Sequence, residues 1–356
     1  MRKRFSHPFI GALCLIFILL TMLAGCNFYQ KEQNANIDPP QDVQYIDEEE
    51  QLTDDGKENE KQASGKTVKR QLYLIDENGY VVPQTLELPV PDTKEVATQA
   101  LEYLVKDGPV TEVLPNGFQA VLPPGTEILG VNIKDGVAIA DFSEEFKDYR
   151  PEDELKILQA ITWTLTQFDN IDKVKIRING VDQDTMPVDG TPISDGVSRE
   201  DGINIDAGSV ADITNSIGVL VYFLAQSGDD SYYVPVTKRI PQTDTSDKIA
   251  ATVQALIEGP GVQSRLFSDI PNDTKLLKAQ KDVNGLVTLN FNEAILDNQK
   301  AISNASLYSL VLSLTELEGV NEVAIQVNGE KNVMTESGDP LTQPVTRKIV
   351  TDAIQF

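Results

Sequence analysis

One pair of segments constrains this chain more than any other feature. GVAIADFSEEF at 136–146 recurs as GLVTLNFNEAI at 285–295, an offset of 149 residues. At the same offset LTQFDNIDKVKIRING (165–180) matches LTELEGVNEVAIQVNG (314–329). LPPGTEIL (122–129) matches IPNDTKLL (270–277), and Gly108-Pro109 matches Gly259-Pro260, at offsets of 148 and 151. Blocks that keep one order over such a distance mark a duplicated module. Two copies are too few for a solenoid, so each must bury its own core.

The pattern within a copy defines the module. In the first, Gln71–Ile75 and Tyr80–Leu86 are β-prone runs around Asn78-Gly79, a hairpin signal. Asp92 and Glu95 form a capping box before Val96, Ala97, Ala100, Leu101, Leu104 and Val105, which share a helical face that Gly108-Pro109 ends. Strands at 127–133 and 137–142 turn at Lys134-Asp135-Gly136. A second helix from about Pro151 aligns Leu155, Leu158, Ile161 and Leu165, and a last strand covers 173–178. The second copy repeats this order, with strands at 217–224 and 232–238, a helix at 246–258, a strand pair around 275–290, a helix at 300–316 and a strand at 322–327. The expected fold is α+β: two tandem strand–helix–strand–strand–helix–strand units, helices covering one face of a mixed or antiparallel sheet, packed as a pseudo-twofold pair.

What precedes the repeats places the protein. Arg2, Lys3 and Arg4 form a positive n-region, and Phe9–Leu23 is an apolar run too short to span a bilayer but suited to a signal h-region. It ends at Leu23-Ala24-Gly25-Cys26, the pattern of a bacterial lipobox. Cleavage between Gly25 and Cys26 would expose a thiol for an S-diacylglycerol, with N-palmitoylation left open. Two acyl chains suffice for stable anchoring. Cys14, inside the h-region, is read as an apolar residue that is discarded. The boundaries are then a signal peptide at 1–25, an acidic tether at 26–69, the first repeat at 70–188, a Gly/Ser/Asp-rich linker at 189–212, the second repeat at 213–345 and a tail at 346–356. The tether has few apolar residues to offset its chain entropy and would reach on the order of 35–40 Å as a coil.

Composition excludes whole classes of chemistry. Thirty basic residues face 55 acidic ones; without the three leader cations the net charge is −28, unsuited to nucleic acid. The single histidine, His7, and both cysteines lie in the first 26 residues. A chain cleaved before Cys26 therefore has no Ser-His-Asp or Cys-His catalysis, no His/Cys zinc site and no intrachain disulfide.

The remaining candidates are weak. Asp141 with Glu144 or Glu145 could form a glycosidase-like carboxylate pair, yet the aligned Asn290 shows that one copy does without the charge. Asp182-Gln183-Asp184 begins like an EF-hand loop, but Met186 and Pro187 stand where a ligand and glycine belong. Trp163, Tyr222, Tyr232 and Tyr233 read as packing aromatics rather than a ligand platform. The expectation is no catalytic residue, no metal and no cofactor.

A lipobox, an acidic tether and two copies ending KVKIRINGV and EVAIQVNGE resemble the GerM family of spore-former lipoproteins. The resemblance covers about residues 70–340 plus the leader. It implies two GerMN domains with a fold like the ring-building motif of secretion-system rings and the sporulation SpoIIIA–SpoIIQ channel. It also implies a sporulation and germination protein on the mother-cell membrane, facing the space between the forespore membranes. The family supplies no catalytic residues, so only Cys26 is carried over. The leading expectation is a non-enzymatic scaffold, with membrane lipid and channel proteins as partners and oligomeric state open. The alternative is a carboxylate-dependent wall hydrolase or glycan-binding lipoprotein.

Overall fold

The computed structural model describes residues 66–91, 95–208, 210, 213–228, 230–241 and 247–354. The leader, Cys26, the acidic stretch through residue 65 and Asp92 of the expected capping box lie outside the described residues.

The first repeat opens on a hairpin, β1 (Thr67–Asp76) and β2 (Val81–Pro89). Asp76 shapes its turn by accepting the N–H groups of Asn78 and Tyr80, while Gly79 takes φ +84°. Helix α1 (Val96–Glu102) follows, and β3 (Phe118–Gln119) returns to β1. Strands β4 (Ile128–Lys134) and β5 (Val137–Phe142) turn on Asp135 and Gly136, both at positive φ. Helix α2 (Glu154–Leu165) crosses over to β6 (Lys173–Ile178), which runs parallel to β5, and β7 (Val181–Asp182) completes a mixed sheet ordered β4-β5-β6-β7.

The second repeat has the same arrangement. Hairpin β8 (Ser216–Ser227) and β9 (Asp230–Pro241) leads to α3 (Lys248–Glu258), capped by Asp247. Strands β10 (Leu276–Lys281) and β11 (Leu286–Phe291) follow. A short β12 (Ala301–Ile302) precedes α4 (Asn304–Leu314), and β13 (Glu322–Val327) lies parallel to β11. The chain ends through β14 (Met334–Thr335), β15 (Val345–Thr346) against β13, and α5 (Arg347–Ala353).

Strict alternation builds the cores. Ala138, Ala140 and Phe142 of β5 and Val174, Ile176 and Ile178 of β6 point inward, as do Val287, Leu289, Phe291, Val323, Ile325 and Val327 in the second sheet. Each crossover helix lies against the first strand of its own hairpin: the Tyr73 N–H donates to Thr164 Oγ1 at 3.0 Å, and the aligned Tyr222 N–H to Ser313 Oγ at 2.9 Å. The two cores are continuous, since Val82 of β2 belongs to the second core and Leu220 and Phe118 pack against both.

Two helix expectations are corrected, and the segments read as linker and tail are packed. Helix α1 ends at Glu102, because the Leu104 carbonyl accepts the Val121 and Leu122 N–H groups and draws the chain out of the helix. Leu104 and Val105 are still buried, while Gly108-Pro109 begins a separate 3-10 turn. Leu155 is 53% exposed, lying off the arc that buries Leu158, Ile161 and Leu165. The linker region is packed, with Ile193, Val197 and Ile203 buried. Within the tail, α5 is docked through buried Val350.

Candidate functional site

The aligned blocks converge at one turn in each repeat. Asp141 Oδ1 accepts the Gly180 N–H at 3.0 Å, and Asn290 Oδ1 accepts the Gly329 N–H at 2.8 Å. The turns they hold, Asn179-Gly180 and Asn328-Gly329, have positive φ at both residues. Ser143 Oγ accepts the Glu127 N–H at 3.0 Å, while Asn292 Oδ1 accepts the Lys275 N–H at 2.8 Å. Glu144 is reached by the Asn179 amide at 3.2 Å and Glu293 by the Asn328 amide at 3.4 Å. Only acceptor oxygens are needed here, and an amide serves as well as a carboxylate. These positions fasten the turn after each parallel strand, which is why both copies keep them.

The polar centre of the molecule lies elsewhere, between the repeats. Glu316, just past α4, accepts from Tyr222 Oη at 2.8 Å and Arg347 Nη2 at 2.7 Å, and from Arg199 Nη1 at 3.4 Å. Arg199 lies over the ring of buried Trp163, whose Nε1–H donates to the Gly202 carbonyl at 3.4 Å. The two arginines occupy matching places, since Arg199 donates to Thr166 Oγ1 at 2.9 Å and Arg347 to the aligned Thr315 Oγ1 at 3.1 Å. Symmetry breaks at one position. Gln167 donates to the Gln71 carbonyl within its own repeat, whereas its counterpart Glu316 bridges to Arg199 of the connecting segment. Burial pushes the Tyr73 and Tyr222 phenols up. Burial also opposes the Arg347 charge, but Tyr222 and Glu316 outweigh it and hold the guanidinium above its ordinary range.

Further contacts tie the hairpins together. The Asn204 side chain accepts the Val81 N–H at 2.9 Å and donates to the Val81 and Pro235 carbonyls at 2.7 and 2.8 Å. Tyr232 donates to Asp76 at 2.7 Å and packs edge-on against Phe118. Buried Glu154 organises the residues after β7, accepting from the Val188, Asp189 and Thr191 N–H groups and from Tyr149 Oη at 2.7–3.1 Å. Although burial works against its charge, these donors hold the carboxyl below its usual range.

The other sequence candidates are structural in their surroundings. Asp182 pairs with Arg177, Met186 is buried, and Tyr233 packs near Tyr308. Among the described residues no three His, Cys, Asp or Glu side chains are grouped to hold a metal ion, and no helix is long and apolar enough to cross a membrane. An open groove of about 1040 Å³ lies on the second repeat, including Ala251, Ala255, Lys238 and Glu258. Within it Lys238 is bound to Glu258 and the Gly259 carbonyl. Sequence reasoning did not single out Arg199, Glu316, Arg347 or Asn204. A signal existed, because Ser198-Arg199 and Thr346-Arg347 stand 148 residues apart, but they fall in the segments read as linker and tail.

Two similar α+β domains fused through a shared polar centre, with turn-fastening residues where a carboxylate pair was considered, define a tandem-domain protein. A family model described as Germane, sporulation and spore germination, matches residues 71–184 and 220–333, windows that repeat the 149-residue offset. The chain belongs to this family of sporulation and spore germination proteins with tandem GerMN domains. It is 49% identical over 355 residues to the spore germination protein GerM of Bacillus subtilis (strain 168), covering 95% of each chain. It also resembles the solved structure of the tandem GerMN domains of the sporulation protein GerM from Bacillus subtilis. The TM-score is 0.73 and the identity 53%, over 79% of this chain and 98% of that one.

Proposed function

We propose that this protein is a non-enzymatic, lipid-anchored scaffold that supports the SpoIIIA–SpoIIQ type channel between the two forespore membranes. Cys26 is its attachment point on the mother-cell membrane, and the acidic stretch holds the folded pair away from the lipid. Its domains act as ring-building modules in a pseudo-twofold pair, recognising channel proteins through helix and sheet faces. The observation that carries this reading is the repeated turn fastening, in which Asp141 and Asn290 do the same job. The carboxylate at Asp141 thereby has a structural use that an amide fills in the second repeat. Membership of the sporulation and germination family supports the setting.

The test is co-purification of the full chain with channel components from sporulating cells, alongside assembly of the channel in a deletion strain. The reading expects specific retention of channel proteins and their loss or mislocalisation on deletion. Normal channel assembly without this protein would contradict it.

A further inference from the structure

The two sheets present very different outer faces, although the modules are duplicates. On the first sheet Val137, Ile139 and Asp141 of β5 lie beside Lys173, Lys175 and Arg177 of β6, in register. Asn132 and Lys134 of β4 continue the same face. On the second sheet the matching partners are Leu286, Thr288 and Asn290 beside Glu322, Ala324 and Gln326. Three cations in the first copy are thus replaced by an acid, a methyl group and an amide. Arg177 is paired with Asp182 and has Asp141 alongside, whereas Lys134, Lys173 and Lys175 have no ion-pair partner among the described residues. All six residues of the β5 and β6 rows are half-buried, while the alternate residues of both strands form the core face.

A cationic face with an apolar row is unexpected on a chain of net charge −25. The same chain carries a complementary segment. DVQYIDEEEQLTDDGKENE, residues 42–60, holds nine carboxylates against one lysine and begins with Val43, Tyr45 and Ile46. From Glu50 to Lys66, where the described fold begins, 16 residues can extend to about 50 Å. A domain of this size has a radius of gyration of only about 14 Å, so the segment can reach either face.

We propose that residues 42–60 dock on the outer face of the first sheet, Val43 and Tyr45 against Val137 and Ile139, and the Asp47–Glu50 carboxylates on Lys173, Lys175 and Lys134. The segment then shields this sheet face until a partner with a stronger acidic or apolar surface displaces it. The inference is independent of the scaffold reading, because it concerns one chain alone.

The test uses the full chain in nonionic detergent at low salt. Glutamyl endopeptidase reports access to Glu48–Glu50, and carbodiimide cross-linking with mass spectrometry reports the lysines they touch. Cross-links should join residues 47–55 to Lys173 and Lys175 within one chain, in preference to Lys278 and Lys281. The double variant Lys173→Glu, Lys175→Glu should cleave about fivefold faster, as expected for losing two exposed charge contacts. Wild type in 0.5 M NaCl should show the same rise, and Lys278→Glu, Lys281→Glu should cleave like wild type. Equal cleavage rates in all variants would overturn the proposal. So would cross-links formed mainly between isotopically distinct chains, or a sheet face that captures phosphatidylglycerol vesicles while the segment stays fully cleavable.

Discussion

Arg347 Nη2 donates to Glu316 Oε1 at 2.7 Å, joining the last helix to the residues that follow the crossover helix of the second repeat. The same carboxylate receives Tyr222 and, across the repeat boundary, Arg199. Removing one partner of such a sheltered network leaves the others unpaired, which is costlier than the pair is worth. Glu316→Ala should therefore lower stability by about 2–3 kcal/mol, and Glu316→Gln by about half of that. Urea unfolding of the folded region checks this. Melting should remain a single transition in wild type and become broader or biphasic in Glu316→Ala as the repeats uncouple.

Asn204 makes three hydrogen bonds between the hairpins at φ +45°, a conformation glycine also adopts. Asn204→Gly isolates the amide contribution and should cost about 2 kcal/mol. Hydrogen exchange should rise first at Val81 and its neighbours in the two hairpins.

Glu154 supplies a pH dependence. Its folded carboxyl is held below the unfolded value of about 4.3. Its stabilisation is fully present above that unfolded value and is lost as pH falls through the lower folded one. Glu154→Gln should lower stability at pH 7 by about 2 kcal/mol, since an amide cannot accept all four donors. Between pH 5 and pH 3 its stability should decline less than that of wild type.

How much of this was legible beforehand depends on the range of the interaction. Alternation marked β6 and β13 at their observed ends, because one buried face specifies a strand residue by residue. The duplication identified Asp141 as dispensable in charge, and the geometry supplied the reason. What escaped were contacts far apart in sequence. Arg199 and Glu316 are 117 residues apart, and the arginines lie in segments whose composition suggests a linker and a tail. Helix α1 was overestimated because apolar spacing continues through Val105, whereas the Leu104 carbonyl is claimed by Val121 and Leu122.

The anchor makes a separate prediction. Cys26→Ala should abolish incorporation of labelled fatty acid and release the protein from the membrane fraction. Continued labelling of that variant would remove the lipobox reading, whatever the folded domains do.

The central claim is that the shared acidic motif is a fastening and not a catalytic pair. Asp141→Asn in the full chain tests it most directly, because the second repeat already uses Asn290 in this place. A deletion strain complemented with Asp141→Asn should sporulate and germinate like wild type, with protein stability within about 0.5 kcal/mol. Asp141→Ala, which loses the acceptor, should cost about 1–2 kcal/mol. An Asp141→Asn protein that is folded and normally abundant, yet leaves spores as defective as the deletion, would contradict the account.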